Sequence, residues 1–266
     1  MKLKTINLWK NNLPCHTEGE APVMHYFAAE NKQGDSAVLI FPGGAYLRRA
    51  PHEGEGYALY LNSIGIDAFV VDYRVSPNKF PAPLLDARRA IRLVRAHAAE
   101  FGINPSKIAV MGSSAGGHLA ALAATYKGKL TGEGCDEIDE IDCMPNRQIL
   151  CYPVMDIESH AASFNHLLTS AATEHESVTP RLLADKNTPP AFIWHSQSDE
   201  SVSVLGSYRY AERLLSCSVE AEMHIYPVGT HGVGLADGAY GRAAFPYLED
   251  WARQLERWLK LQEFIH

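Results

Sequence analysis

One serine lies in a sequence pattern typical of a nucleophile. Residues 112–116 are Gly-Ser-Ser-Ala-Gly and match G-x-S-x-G, in which a sharp turn between a strand and a helix presents a serine hydroxyl above a sheet. The residues two before and two after that serine pack closely and must be small. Both are glycine when Ser114 is central, whereas a central Ser113 would put Met111 in the tight position. The pattern predicts that Ser114 is a nucleophile; the alternative is a tight turn with an inert serine.

His231 is the histidine best placed to be the base that a serine nucleophile needs. On a turn of this kind the nucleophile is followed along the chain first by an acid and then by the histidine. Of the twelve histidines, His231 lies in a glycine-flanked loop, residues 227–234, after the last predicted strand and before the last long helix. His118, one helical turn beyond Ser114, is predicted to pack or to support the site, and His195 to be buried beside the loop of the acid. The alternative for His231 is a surface loop histidine.

Asp199 is the predicted acid, which orients the imidazole and stabilises its cation. It lies in a polar loop after the predicted strand Ala191–His195, between the nucleophile and the histidine in chain order. Asp156, which also follows the end of a strand, is the second candidate. Asp185 and Glu200 are weaker candidates. The alternative for each of these carboxylates is a place on the surface or at the cap of a helix.

Three backbone N–H groups are predicted to stabilise the negative charge that develops on the attacked carbonyl oxygen. Ala115 directly follows the nucleophile, at the N-terminus of a helix whose dipole favours an anion. Residues 41–46, Phe-Pro-Gly-Gly-Ala-Tyr, follow an early strand, and their glycines allow the backbone to approach a substrate closely. We predict that Gly44, Ala45 and Ala115 donate to the oxyanion, and that Tyr46 contributes apolar surface to substrate binding.

These residues need a scaffold, and short apolar runs that alternate with helical patterns predict βαβ units on a parallel sheet. Most of the runs are apolar almost throughout, as is typical of strands that are covered on both faces. The predicted strands are Val23–Ala28, Ala37–Phe41, Asp67–Tyr73, Lys107–Met111, Gln148–Tyr152, Ala191–His195 and Glu222–Tyr226. The predicted helices are Pro83–Phe101, Ala115–Tyr126, Leu205–Ser216 and Phe245–Leu261. Gly102 is expected to end the first of them.

Two segments interrupt this alternation. Lys127–Asn146 is acidic, with six Asp or Glu residues within ten positions. It lacks the register of a calcium-binding loop, and we predict a solvated surface loop. Asp156–Pro190 is polar, has helical pieces at Phe164–Ser170 and Thr179–Leu183, and is predicted to fold over the site as a small cap. The whole chain of 266 residues is predicted to be one domain that contains this cap.

Composition and charge exclude several classes of protein. Apolar residues make up 46% and charged residues 21% of the chain, which excludes a disordered protein. A formal net charge of −7 argues against nucleic-acid binding, which needs a basic surface. No run of about 18 apolar residues is present and the N-terminus lacks the apolar core of a signal peptide, so neither a membrane span nor secretion is predicted. The five cysteines are irregularly spaced and suit reduced thiols in a cytoplasmic protein.

From about Ala37 to the C-terminus, the chain resembles α/β-hydrolases of the broad hormone-sensitive-lipase and carbohydrate-acetylesterase group. The residues that carry the resemblance are 72–74, 80–83, 86–90, 112–120, 198–202 and 229–232. They stand at the group's segment before the nucleophile turn, at the turn itself, and at its acid and histidine positions. Residues 42–46 replace the His-Gly-Gly-Gly of typical lipases, which argues against a lipase.

The resemblance implies an α/β-hydrolase fold with a mostly parallel central sheet, helices on both faces and a small cap. It implies Ser114 as nucleophile with Asp199 and His231 as its partners, and neither a cofactor nor a metal. Within the group the chain is most similar to bacterial acetylxylan-esterase-like and sugar-hydrolase-like proteins, which act, where known, on acetyl esters of sugars. The loop at residues 42–46 is also similar to that of arylformamidases, so ester and formamide substrates both stay open.

We therefore predict a cytoplasmic serine hydrolase that cleaves small acyl esters, with acetyl esters of sugars or oligosaccharides as the expected substrates. No nucleic-acid or membrane partner is expected, and the sequence leaves homo-oligomer formation open. The alternatives are an arylformamidase or a peptidase that uses the same three side chains, and a non-catalytic ligand-binding protein on the same fold. Because the chain retains both the serine and the histidine, the sequence favours the enzyme.

Overall fold

The computed structural model describes residues 2–10 and 12–266, and in them eight strands form one central sheet. The strands are β1 (Lys2–Asn7), β2 (Val23–Phe27), β3 (Ala37–Phe41), β4 (Asp67–Asp72), β5 (Ile108–Ser113), β6 (Arg147–Cys151), β7 (Ala191–Ser196) and β8 (Ala221–Tyr226). Their order across the sheet is β1-β2-β4-β3-β5-β6-β7-β8. All of the predicted strands are confirmed with small differences at their ends. β1 is not among the strands predicted from the sequence.

The mostly parallel sheet that the resemblance implies is confirmed. The neighbouring strands from β4 to β8 run parallel, while β1 and β2 are antiparallel at one edge. The chain order reverses beside β3, because β4 lies on one side of it and β5 on the other. The loops that follow β3 and β5 therefore diverge and leave a crevice at the carboxyl ends of the strands, where α/β sheets bind ligands. The predicted site residues follow β3, β5, β7 and β8, so their loops meet at this edge.

Helices cover both faces of the sheet. They are α1 (Glu55–Ser63), α2 (Ala82–Ala96), α3 (Ala98–Phe101), α4 (Ala115–Thr125), α5 (Ala161–Leu167), α6 (Ala171–Glu174), α7 (Pro180–Leu183), α8 (Val204–Ser216) and α9 (Asp250–Leu261). Leu39 of β3 belongs to the apolar cluster of α2 and α4, and its neighbour Ile40 to that of α1 and α9. This burial on both faces explains why the strands are apolar almost throughout. No helix in the described residues is long and apolar enough to cross a membrane.

Some helix boundaries differ from the prediction. The predicted helix Pro83–Phe101 is two helices, α2 and α3, which are separated at His97 (φ −103°, ψ 19°). Gly102 ends α3 in the left-handed region (φ 63°), as the sequence predicts. The predicted helix Phe245–Leu261 begins only at α9, after a series of turns. The short helix α1 is not predicted, because Gly56 and its length weaken the helical pattern.

Acidic residues of the 127–146 segment form ion pairs with arginines of α2, so the prediction of a solvated loop is wrong for them. Arg88 Nη1 donates to Glu133 Oε1 at 2.9 Å, and Arg89 Nη1 donates to Asp139 Oδ1 at 3.0 Å. Both arginines and Asp139 are buried. A buried guanidinium needs a carboxylate partner, and this segment supplies it. Among residues 2–10 and 12–266, no group of three or more His, Cys, Asp or Glu side chains is arranged to hold a metal ion.

The cap segment, Asp156–Pro190, packs against the helices of one face of the sheet. It contains α5, α6 and α7, close to the predicted helical pieces. Phe164 and Val178 are buried in the same apolar cluster as residues of α4. His160 of the cap segment lines a pocket together with Ser114. The cap segment therefore contributes to the core and also one side chain to the site.

Candidate active site

Ser114 occupies the sharp turn between β5 and α4. Its backbone has a positive φ of 54° with ψ −123°, a strained conformation for a residue with a side chain. The flanking glycines are required by close packing: a Cβ on Gly112 would lie 2.1 Å from the Gly116 oxygen, and one on Gly116 would lie 1.9 Å from a backbone oxygen of β3. Ser113 is fully buried, and its hydroxyl lies 2.9 Å from that of Tyr57. It is therefore Ser114, with 6% exposure, that lines the pocket.

Ser114, His231 and Asp199 are connected by hydrogen bonds. His231 Nε2 lies 2.9 Å from Ser114 Oγ, and His231 Nδ1 lies 2.7 Å from Asp199 Oδ2. Because a carboxylate only accepts hydrogen bonds, Nδ1 carries the proton and Nε2 is free to accept that of the serine. The loops after β5, β7 and β8 thus bring together the three side chains selected from the sequence, in the order that proton transfer from a serine needs.

Asp199 is held in its charged form by several donors. Its Oδ1 accepts the backbone N–H groups of Ser201 and Val202, each at 2.9 Å. Its Oδ2 lies 3.3 Å from His195 Nε2, in addition to its contact with His231. Burial acts to raise the pKa of Asp199, but the hydrogen bonds from His195 and His231 outweigh it and lower the pKa well below the usual range. The carboxylate can therefore orient His231 and stabilise its cation.

Asp156, the second candidate for the acid, is engaged elsewhere. Its Oδ2 accepts from Arg209 Nε at 2.9 Å and from Arg209 Nη2 at 2.8 Å. Its Oδ1 accepts from the backbone N–H of Ser159 at 2.9 Å. These contacts satisfy the carboxylate, so the geometry favours Asp199 over Asp156 as the partner of His231.

The loop after β3, residues 42–50, carries two of the N–H groups predicted to bind an oxyanion. Gly44 (φ 131°) and Ala45 (φ 56°) both have positive φ, so the chain turns sharply after the strand. The carbonyl of Gly44 accepts the N–H groups of Leu47 at 3.0 Å and Arg48 at 3.1 Å, which fixes the turn. Within residues 2–10 and 12–266, the N–H groups of Gly44, Ala45 and Ala115 donate to no acceptor, which leaves them available for a negatively charged oxygen.

Glu53 is buried beside this loop and is not among the site residues predicted from the sequence. It is 2% exposed, its Oε2 accepts the Gly43 N–H at 2.8 Å, and its Oε1 accepts the Tyr152 hydroxyl at 2.8 Å. The same hydroxyl accepts the N–H of Gly234 at 3.0 Å. Glu53 therefore connects the loop after β3 to the loop that carries the histidine. It lies in a single helical turn, Pro51–Glu53, which is too short to give a periodic signal.

Tyr46 does not line the pocket, so the prediction that it contacts substrate is corrected. It is 1% exposed, and its hydroxyl lies 2.7 Å from His118 Nδ1. His118 Nε2 donates to the Val178 carbonyl at 2.8 Å, so Nδ1 is left to accept from the tyrosine. Burial lowers the pKa of His118 to about 4, so the imidazole is neutral near pH 7. Tyr46 and His118 thus connect the loop after β3, helix α4 and the cap segment.

Ser114 and His231 line a pocket of about 360 Å³, a volume that suits a small ligand. The other lining residues are Gly44, Ala45, Leu47, Arg48, Ala50, His52, Glu53, His160, Ser201, Gly232 and Arg242. Most of their side chains are polar. A second depression of about 550 Å³ shares Leu47, Arg48 and Ala50 with this pocket.

A strained serine turn above a mostly parallel sheet, joined to an imidazole and a carboxylate from later loops, is the arrangement of the α/β-hydrolases. Solved structures confirm this fold. The acetyl ester-xyloside bifunctional hydrolase from Caldicellulosiruptor lactoaceticus has a TM-score of 0.90 and 38% identity, over 99% of this chain and 97% of that one. Thermogutta terrifontis esterase Est2 with bound butyrate has a TM-score of 0.80 and 25% identity, over 98% of this chain and 95% of that one.

The BD-FAE family model matches residues 25–214, and the chain belongs to that family. The acetylxylan esterase of Xylanibacter ruminicola is 30% identical over 94% of this chain and 50% of that protein. Endo-1,4-beta-xylanase B of Butyrivibrio fibrisolvens is 30% identical over 88% of this chain and 38% of that protein. The chain thus spans half or less of the length of these two relatives. The fold of the chain and the esterases among its relatives identify it as a carboxylic ester hydrolase.

Proposed function

We propose that this chain hydrolyses acetyl and other small acyl esters of sugars. The observation that carries the proposal is the hydrogen-bonded chain from Ser114 through His231 to Asp199. It lies beside the backbone N–H groups predicted to bind the oxyanion. The names of two similar proteins, an acetylxylan esterase and an acetyl ester-xyloside hydrolase, support the substrate class. This chain spans 50% of the acetylxylan esterase, which extends well beyond the matched region, so the proposal concerns the reaction of this chain alone.

The proposed reaction begins with His231 Nε2, which removes the proton of Ser114 as Oγ attacks the ester carbonyl. Asp199 remains charged, keeps the imidazole in the correct tautomer and stabilises the imidazolium. His231 then gives the proton to the leaving alkoxide, and the acyl group stays on Ser114. In the second half, His231 activates a water molecule, which releases the acid and regenerates the serine.

Backbone donors lower the barrier of both halves in this mechanism. The carbonyl oxygen becomes negatively charged when the serine or the water attacks, and the N–H groups of Gly44, Ala45 and Ala115 are available to bind it. A donor of this kind contributes about 3 kcal/mol to transition-state stabilisation, by comparison with deletions in other serine hydrolases. The helix dipole of α4 acts in the same direction, because its N-terminus lies directly after Ser114.

The lining of the pocket favours a small acyl group on a hydroxyl-rich alcohol. Its apolar side chains, Ala45, Leu47 and Ala50, offer little surface for an alkyl chain. Because each buried methylene contributes about 0.8 kcal/mol, a long chain gains little where it stays in water. We propose that the cap segment, through His160, forms one wall of the pocket and limits the acyl length.

Acetate release from p-nitrophenyl acetate and from acetylated xylo-oligosaccharides tests the proposal. We expect the wild-type chain to act on both, Ser114→Ala to lose more than about a thousandfold in kcat, and Ser113→Ala to keep most of it. Ser113 is the matched control, because it is the adjacent serine of the same turn. The proposal fails if neither ester is cleaved, or if Ser113→Ala is the inactive variant. Cleavage of formanilide in place of acetyl esters would favour an arylformamidase.

A further inference from the structure

The pocket that contains Ser114 carries more positive than negative side chains. Two arginines line it: Arg48 from the loop after β3, and Arg242 from the segment before α9. Both residues are exposed, and a guanidinium group stays protonated at any pH at which enzymes work. The chain as a whole has a net charge of −7, so overall composition does not account for this local positive charge.

The guanidinium groups in the lining of the pocket outnumber the carboxylates. Glu53 is the only carboxylate that lines the pocket in the described part of the chain. It is buried and accepts hydrogen bonds from the Gly43 N–H and the Tyr152 hydroxyl, so the lining holds one carboxylate and two guanidinium groups. Glu200 is exposed and lines an adjoining depression, which shares Ser201 and His231 with this pocket. The lining of the pocket therefore keeps an excess of one positive charge that an anionic ligand can meet.

The guanidinium groups of Arg48 and Arg242 also have N–H donors that are available to a ligand. Within residues 2–10 and 12–266, the Arg48 side chain forms no hydrogen bond or ion pair, and Arg242 donates only from Nη2, to the His231 carbonyl at 3.1 Å. Arg49, the next residue along the chain, differs from both of them. It donates to the Tyr73 carbonyl at 2.8 Å and lies 3.4 Å from Asp72 Oδ1. Arg48 and Arg242 are thus the arginines of this region that can receive an anion.

The position of Arg242 places such an anion on the alcohol side of the ester. Its Nη2 contacts the His231 carbonyl, and a Cβ on Gly232 would lie 3.1 Å from it. In the proposed reaction His231 gives its proton to the leaving alkoxide, so the alcohol lies beside His231. Arg48 approaches the same pocket from the loop that carries Gly44. Arg242 therefore lies beside the place of the leaving group, and Arg48 lines the same pocket.

We propose that Arg48 and Arg242 bind an anionic group on the alcohol part of the substrate. This group is either a carboxylate or a phosphate. The substrate is then an acylated sugar acid or an acylated sugar phosphate, and a neutral sugar ester is a poorer substrate. Guanidinium groups recognise both anions through paired N–H donors. This inference rests on the proposed ester hydrolysis, because Ser114 and His231 define where the alcohol lies.

Three matched aryl acetates test the subsite. 4-Acetoxybenzoate and 4-acetoxyphenyl phosphate are anions, 4-acetoxybenzamide is neutral, and all three present the acetyl group in the same position. The measured quantity is the kcat/KM ratio of anionic to neutral ester, compared between variants so that leaving-group reactivity cancels. At low salt we expect the double variant Arg48→Gln, Arg242→Gln to lower this ratio about threefold to tenfold, because two exposed charge pairs are lost. High salt should lower the wild-type ratio towards that of the double variant.

Arg257→Gln is the matched control, since it removes the same charge from an exposed position of α9 and should leave the ratio unchanged. A fall confined to the phosphate identifies a phosphate as the bound group, and a fall confined to the benzoate identifies a carboxylate; either supports the subsite. Equal ratios in the wild type and the double variant, with all three esters cleaved, would overturn the subsite and leave ester hydrolysis intact. A wild-type chain that cleaves none of the esters overturns both.

Discussion

Substitution of Glu53 by Gln is expected to slow the proposed hydrolysis about tenfold to a hundredfold. The Glu53 carboxylate accepts the Gly43 N–H and the Tyr152 hydroxyl, each at 2.8 Å. An amide of the same size has one accepting atom, so one of these donors is left facing an NH₂ group. A hydrogen bond to a charged group contributes about 1.5–3 kcal/mol. Since about 1.4 kcal/mol corresponds to a factor of ten in rate, the expected loss follows.

The loss should appear in kcat and leave KM unchanged. Gly43 precedes Gly44, whose N–H is a proposed donor to the oxyanion, so a displaced Gly43 moves that donor. Contacts to the oxyanion form only in the transition state, and weakening them lowers kcat without weakening substrate binding. Complete loss of one donor would cost about 2.7–4 kcal/mol, which sets the upper limit of the effect.

Initial rates on p-nitrophenyl acetate give kcat and KM, and a trifluoromethyl ketone that adds to the serine reports on the oxyanion contacts directly. The inhibition constant of the ketone should rise in parallel with the loss of kcat. Glu55→Gln is the matched control, because Glu55 is exposed and only two residues further along. Tyr152→Phe, which removes the hydroxyl between Glu53 and Gly234, should give a smaller loss. A thermally stable Glu53→Gln variant with wild-type kcat and ketone affinity would refute this role of Glu53.

Further predictions follow from the acid, the pocket and a buried histidine. Asp199→Asn should lower kcat steeply, because the amide can hold the wrong imidazole tautomer, and Asp156→Asn should mainly lower the melting temperature; the opposite ranking would make Asp156 the acid. Activity on p-nitrophenyl esters should be highest for acetyl or propionyl and fall steeply by octanoyl, whereas rates that climb from C2 to C8 would rule out a small acyl pocket. Burial lowers the pKa of His118 from 6.5 to about 4, so the unfolded chain binds a proton that the folded protein does not. The stability from His118 is complete above pH 6.5 and is lost as the pH falls towards 4. Urea unfolding across this range should show a slope for the wild type that is steeper than for His118→Gln by up to about 1.4 kcal/mol per pH unit. Equal slopes would contradict this assignment.

The sequence predicts the parts of the fold and site that depend on neighbouring residues. The nucleophile turn needs only five adjacent residues, and close packing explains why Gly112 and Gly116 mark it. Strands covered on both faces leave apolar runs that are visible without any partner. The loops of Asp199 and His231 can be selected because they follow such runs, and the parallel sheet brings them to the same edge.

Contacts between residues far apart in the chain are what the sequence does not reveal. Glu53 interacts with Tyr152, which lies 99 positions away, and no neighbouring residue in the sequence indicates that partner. Arg89 pairs with Asp139, which lies 50 positions away, and no neighbouring residue in the sequence indicates this partner. Tyr46 follows Ala45, and both have φ of 56°, a conformation that is uncommon for residues other than glycine. In the structure Tyr46 is buried in the interior and not at the surface of the pocket.

The positions of Ser114, Asp199 and His231 along the chain have a consequence for refolding. Ser114, the proposed nucleophile, lies on the turn after β5, whereas its proposed base follows β8, the last strand of the sheet in chain order. A refolding intermediate in which β8 has not yet docked against β7 would hold a formed serine turn without a base, and would be inert. Trp194 of β7 and Trp251 of α9, the helix that follows β8, stack with ring centroids 4.8 Å apart, so their fluorescence reports on the packing of α9 against β7. Recovery of hydrolytic activity should therefore coincide with this late fluorescence change, and not with the earlier gain of secondary structure.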